Sequence, residues 1–173
     1  MLEPDQSADD LQAAIIDEKL FIRVIGRGSF KVSATLKQFI ADISDKQPIS
    51  LVVIDLAECI GMDSTFMGVL AGLSGRLKQK GQSLELINLS EKNKNLLATL
   101  GIDRVITHYS HSHGHQISGQ KGQSLQTGEA TKKDLAETAL QAHENLVHIC
   151  EENRQRFKRV IEYLKADVDR LNL

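Results

Sequence analysis

Tryptophan is absent from this chain of 173 residues, and aromatic residues make up only 4 % of it. Rings are too few to build a stacking platform for bases or sugars. An excess of positive charge is also lacking, since 21 Lys and Arg face 23 Asp and Glu for a net charge of −2. That balance leaves no electrostatic footprint for nucleic acid, which is not expected as a partner. No apolar run approaches the ~20 residues that span a bilayer, so membrane insertion is not expected either. The opening MLEPDQSADD is acidic and has no apolar stretch of the kind that marks a secretion signal. A soluble, cytoplasmic protein is expected. The two cysteines, Cys59 and Cys150, lie far apart and fit no metal-ligand spacing. Each is expected to be a reduced, partly buried thiol.

What the chain does contain is most informative between Leu51 and Gly81. Leu51-Val52-Val53-Ile54-Asp55-Leu56 is rich in β-branched residues and has the length of a buried strand. After a short turn come Asp63-Ser64-Thr65 and a long helical period. Asp, Ser and Thr start helices because their side-chain oxygens accept the free amides of the first turn. A helix is therefore expected over about 64–80, with a hydroxyl at its N-terminus and Gly81 as its stop. That hydroxyl falls at the carboxyl end of a strand, the edge where open α/β sheets hold their sites.

Residues 1–10 read as a loose tail. LQAAIID and LFIRVIG read as two short strands with Glu18-Lys19 between them, and Gly26-Arg27-Gly28-Ser29 breaks the pattern as a turn. Leu36, Phe39, Ile40 and Ile43 recur at helical spacing, in a helix that ends before Gln47-Pro48. Leu84, Leu86 and Leu89 mark another strand, Glu91 to Leu100 a short helix, and Val105-Ile106 a last strand. Alternating strands and helices with short connections predict an α/β fold, a mixed and largely parallel sheet packed by helices. Residues 108–131, rich in His, Ser, Gly and Gln, read as a linker. Residues 132–173 carry apolar positions three or four apart and form a C-terminal helical extension. One long helix and a pair broken near Cys150 both satisfy the pattern. An amphipathic helix must cover its stripe, on the sheet domain, on a second copy or on another protein.

The same residues resemble a known family. A strand LVVIDL, six residues, Met62-Asp63-Ser64-Thr65 and Gly68 are similar to the sulfate transporter and anti-sigma factor antagonist (STAS) domain. Gly81-Gln82-Ser83-Leu84-Glu85-Leu86-Ile87-Asn88-Leu89-Ser90 and Leu96-Leu97-Ala98-Thr99-Leu100-Gly101-Ile102-Asp103 resemble its next strand and last helix. The resemblance covers roughly residues 10–110, and the STAS-like domain is placed at 11–107. It implies a signalling protein that is not an enzyme, has no cofactor, and binds a serine kinase of the anti-sigma type. That kinase would phosphorylate Ser64, with Thr65 as the fallback. Asp63, Ser64, Thr65, Phe66, Met67, Gly68 and Arg27 are the expected partner surface. Phe66 stands where those antagonists usually have a glycine.

Each candidate also has a plainer reading. Ser64 and Asp63 can simply cap the helix. Phe66 and Met67 also fit a core. Ser64, Gly68, Ala71, Gly72 and Gly75 form a small-residue side of the helix, expected to meet the protein's own sheet or another protein. His108, His111, His113 and His115 are dense enough to bind Zn²⁺, Ni²⁺ or Cu²⁺, yet a flexible polar linker explains them too, and no metal is expected. The C-terminal helices offer a homodimer contact or a cover for the docking face. Two other functions fit the resemblance: a scaffold or oligomerisation module acting through those helices without phosphorylation, and an accessory protein binding a small ligand or serving lipid transport.

Overall fold

A computed structural model describes residues 9–115, 122–125 and 130–173. Strands β1 (Asp10–Ile16) and β2 (Lys19–Gly28) form an antiparallel hairpin joined by Asp17 and Glu18. Both joining residues have positive φ, 47° and 43°, which gives the two-residue turn whose twist matches that of its strands. Helix α1 (Phe30–Lys46) stops at Gln47, the residue before Pro48, because a pre-proline residue disfavours the helical region. Then come β3 (Leu51–Asp55), β4 (Cys59–Met62), α2 (Ser64–Gln79), β5 (Ser83–Ile87) and α3 (Glu91–Thr99). A 3₁₀ turn at Ile102–Arg104 leads to β6 (Thr107–His108); β7 (Gln123–Ser124), α4 (Lys132–Ile149) and α5 (Glu151–Leu171) follow.

Among the described residues the sheet runs β6-β5-β3-β2-β1-β7, with β4 alongside β2. The pairs β2–β3, β3–β5, β5–β6 and β2–β4 are parallel, and β1 is antiparallel to β2 and β7. This is the expected mixed, largely parallel α/β sheet with a C-terminal helical region.

Alternation along the strands decides what each face holds. Leu20, Ile22, Val52, Ile54, Leu84 and Leu86 enter the main core with the helices. The intervening Phe21, Val53 and Ile87 form a smaller cluster, covered by Tyr109. His115 meets the edge of Phe21 and lies 3.0 Å from the Glu85 carboxylate. The segment expected as a linker from residue 108 is therefore part of the sheet unit at its start, and Gln123 and Ser124 pair with β1 further on. Residues 1–8, 116–121 and 126–129, which hold most of the expected tail and part of the linker, lie outside the described residues.

Three local readings change. At Gly26-Arg27 the chain makes a bulge instead of a turn: Gly26 has φ 80°, the register shifts there, and β2 runs on to pair with β4. Strand β4, four residues including Gly61, is too short to show a period. Val105 and Ile106 do not form the last strand, because their amides donate to the Ile102 carbonyl in the 3₁₀ turn. Thr107 and His108 pair with β5 in their place.

The C-terminal region is a helix pair, broken at Cys150 where the backbone is extended. It docks on the chain's own sheet domain: Ala142, Leu146 and Phe157 join the main core. Asn153 holds the break. It is fully buried, and its Nδ2 donates to the Leu146 carbonyl at 2.8 Å and the Leu100 carbonyl at 2.9 Å. Its Oδ1 accepts from Arg156 Nη1 at 2.9 Å. One amide thus satisfies orphan carbonyls at the ends of both α4 and α3. Replacing it with an isosteric apolar residue leaves those carbonyls buried and unpaired, each at a cost of ~1–3 kcal/mol. Asn153→Leu is expected to lower the melting temperature by several degrees and to speed amide exchange in α4 and α5. An unchanged melting temperature would mean that this amide does not anchor the helix pair.

Candidate functional site: the first turn of α2 and its cover

One carboxylate sets the turn that starts α2. Asp63 is the N-cap, its Oδ1 accepting from the Phe66 amide at 2.9 Å. Its Oδ2 accepts from the Phe30 amide at 2.7 Å, and Phe30 is the first residue of α1. The same negative charge therefore meets the positive ends of two helix dipoles and two otherwise free amides. The Asp63 amide donates to the Gly28 carbonyl at 2.9 Å, which ties the turn to β2. Gly28 has no room for a side chain, since an added Cβ would stand 2.7 Å from the Phe66 ring. Phe66 is fully buried in that space.

With Asp63 as the cap, Ser64 is the first helical residue and its hydroxyl is released from capping. Its Oγ lies 2.9 Å from Nε2 of His143 on α4. His143 is only 4 % exposed. Its Nδ1 lies 2.7 Å from the Ala139 carbonyl oxygen, so Nδ1–H donates there. In the neutral ring Nε2 is then an acceptor, and the Ser64 hydroxyl donates to it. The ring edge is held against Phe157, with centroids 5.0 Å apart.

Further along, α4 lies on the small-residue side of α2. A Cβ at Gly68 would sit 2.3 Å from the Ala142 carbonyl oxygen, and one at Gly72 2.3 Å from Asn145 Nδ2. Asn145 Nδ2 donates to the Gly68 carbonyl at 3.3 Å. The partner of this stripe is neither the sheet nor a second protein but the chain's own α4. Gly75 is different: a Cβ there would meet nothing within 4 Å.

The residues expected on the partner surface separate accordingly. Thr65, Phe66 and Met67 are buried, and Gly68 lies under Ala142. Phe66 and Met67 belong to the core, the plainer of their two readings. Asp63 and Ser64 are half-buried, and Arg27 is exposed in β2 opposite Gly61 of β4. Two residues of the site went unnoticed in the sequence. Phe30 is 47 % exposed and stands with Ser64 on an open groove of about 530 Å³ bounded by Leu135, Val160, Leu164 and Leu171. His143 directly follows Ala142 of the α4 stripe, and a polar residue at the flank of a stripe carries no motif.

The clustered histidines have other partners. His113 stacks on Tyr109 with centroids 3.6 Å apart, His115 reaches Glu85, and His108 Nδ1 lies 2.9 Å from the Ile106 carbonyl. Among the described residues no three His, Cys, Asp or Glu side chains converge to hold a metal ion. Burial pushes the Cys59 thiol up, which keeps it protonated and unreactive.

Chemically, an imidazole at a serine hydroxyl is the first pair of a nucleophilic site. Here the group behind the imidazole is a backbone carbonyl, with no carboxylate to stabilise an imidazolium. The pair is better suited to holding a hydroxyl than to activating it.

Loss of the double cap is measurable. Each N-cap contact contributes about 1 kcal/mol, so Asp63→Ala is expected to cost ~2 kcal/mol in urea unfolding. Asp63→Asn, which keeps one acceptor oxygen, is expected to cost about half of that. An alanine variant as stable as wild type would contradict the shared cap.

Known proteins supply the context for this geometry. The family model of the STAS domain matches residues 10–115. The fold is similar to that of the anti-sigma factor antagonist SpoIIAA in its unphosphorylated form, at 15 % identity and a TM-score of 0.52, covering 57 % of this chain and 86 % of that one. A Thermotoga maritima protein ascribed to the anti-sigma factor antagonists aligns at 18 % identity and a TM-score of 0.53, over 57 % of this chain and 85 % of that one. A sulfate transporter family protein from Wolinella succinogenes aligns at 17 % identity and a TM-score of 0.50, over 57 % and 81 %. At these identities the likeness is one of fold. Helices α4 and α5 lie beyond the matched residues. With more than half of its length matched by the family model, this chain belongs to the STAS domain family.

Proposed function

We propose that the chain is a non-catalytic, cytoplasmic signalling protein that presents the first turn of α2 to a protein kinase or anti-sigma-type regulator. Ser64 is the residue that is phosphorylated, and α4 controls access to it. The observation that carries this reading is the Ser64 hydroxyl: freed from capping by Asp63, it is held by a single contact to His143 of the cover. Phosphate at this position is tolerated by α2, because free amides and the helix dipole favour an anion at the N-terminus. It weakens the closed arrangement. Once esterified, Oγ has no proton to donate to the neutral Nε2, and the 2.9 Å contact is lost. Phosphorylation therefore loosens α4 at this end, and a partner that recognises either state reads the difference. Exposed Phe30, beside Ser64, supplies the apolar contact for that partner.

A second reading, an oligomerisation or scaffold module, draws support from α5, where Val160, Tyr163 and Leu171 are exposed. A variant that opens the cover without touching α2 separates the two. Ala142 is 1 % exposed, and its carbonyl lies against Gly68. A glutamate placed there would bury an unpaired charge, at a cost of several kcal/mol. Phosphopeptide mass spectrometry of the full chain from cells that make it is expected to find phosphate on Ser64. The modified fraction is expected to rise at least ten-fold in Ala142→Glu, since each ~1.4 kcal/mol of lost cover stability is a factor of ten. Absence of phosphate on Ser64 in both proteins would overturn the switch and leave the scaffold.

A further inference from the structure

The geometry points to a binding site for a small phosphate-bearing organic anion in the cleft between α2 and α4. The cleft has a volume of about 500 Å³ and lies at the far end of α2 from Ser64. Lys37 of α1, with Arg76 and Lys78 of α2, brings three basic side chains to its lining, and His148 of α4 adds an imidazole. No carboxylate lines it. Among the described residues none of the three cations forms a salt bridge, although Lys80 at the end of α2 and Lys133 in α4 each have a carboxylate partner. The polar contacts that do exist are to neutral acceptors: Lys37 to Gln141 Oε1, and Lys78 Nζ to the Val105 carbonyl at 3.3 Å.

Three features make this more than scattered surface charge. Gly75 opens the helix backbone to the cleft, since a Cβ there would meet nothing within 4 Å. Val69, Leu73 and Ile149 give the cleft an apolar part beside its cations, which leaves room for a carbon skeleton next to the phosphate contacts. Lys37 is half-buried, and burial followed by the charge of Arg76 holds its ammonium below the ordinary lysine range, with Glu137 pulling the other way. Half-buried Lys37 thus feels the like charge of exposed Arg76, and a multivalent anion between them relieves that repulsion. Beside the cleft, Glu137 acts on Lys37, and Asp45, itself held by Lys80, interacts with Arg76.

The cleft uses residues of the sheet domain and of α4 together. An occupant would therefore bind only the closed molecule and stabilise it by mass action. The site stands on these residues alone and does not require that Ser64 be modified.

The test is isothermal titration of the full chain with sodium pyrophosphate at fixed ionic strength, beside Arg76→Gln/Lys78→Gln and, as a control, Lys19→Gln, a cation at the start of β2. Saturable one-to-one binding is expected in wild type and in the control. Loss of two charge-assisted contacts is expected to weaken it about a hundred-fold, roughly ten-fold per contact. Pyrophosphate is also expected to raise the melting temperature of wild type and not of the double variant. Absence of saturable binding up to about 10 mM, a ligand too weak to matter at cellular concentrations, would overturn the site. Equal affinity in wild type and the double variant would overturn it as well.

Discussion

The close approach of α4 to α2 is the constraint on which this structure turns. Helix pairs ordinarily keep a distance set by the side chains between them. Here Gly68 and Gly72 remove those side chains, and the Ala142 carbonyl and the Asn145 amide occupy their place. That seating brings His143 onto the Ser64 hydroxyl at one end of α2. At the other end the two helices and α1 wall the basic cleft. A glycine in a helix interior costs roughly 1 kcal/mol against alanine, and the buried α4 stripe is what offsets that cost.

Asp63 makes the arrangement specific. Because its two oxygens cap α2 and α1 together, the orientation of Ser64 is fixed relative to Phe30 as well as to α2. Had Ser64 been the cap, its oxygen would have turned inward to an amide and been lost to any partner. Its position as the first helical residue turns the hydroxyl toward the next layer, which is α4. The double cap and the cover act on one atom from two sides.

The sequence made the fold legible where patterns were long or chemically sharp. The β3 run, the α1 period ending before Pro48 and the α2 period ending at Gly81 each rest on side-chain physics that tertiary contacts did not override. β4 and β6 were missed or displaced because four and two residues carry no period. The packing of 108–115 is not legible in composition, because it depends on stacked Tyr109 and His113 and on His115 against Phe21. At the site, the Asp63-Ser64 turn was visible but the division of labour was not, since either oxygen can cap. The small-residue stripe announced a close partner without naming it. Ala142 of α4 is the complementary signal, and spacing alone does not pair one stripe with another.

In the unliganded, unmodified chain, α4 rests on the Ser64–Gly72 face. Hydrogen–deuterium exchange of the full-length protein tests it most directly, read on peptides spanning Ala136 to Leu146 of α4 and Leu51 to Asp55 of β3. The α4 amides are expected to be protected to a similar degree as the central strand, because both belong to one core. Exchange of the whole α4 segment within seconds, with β3 fully protected, would show a helix free of the domain and would contradict it.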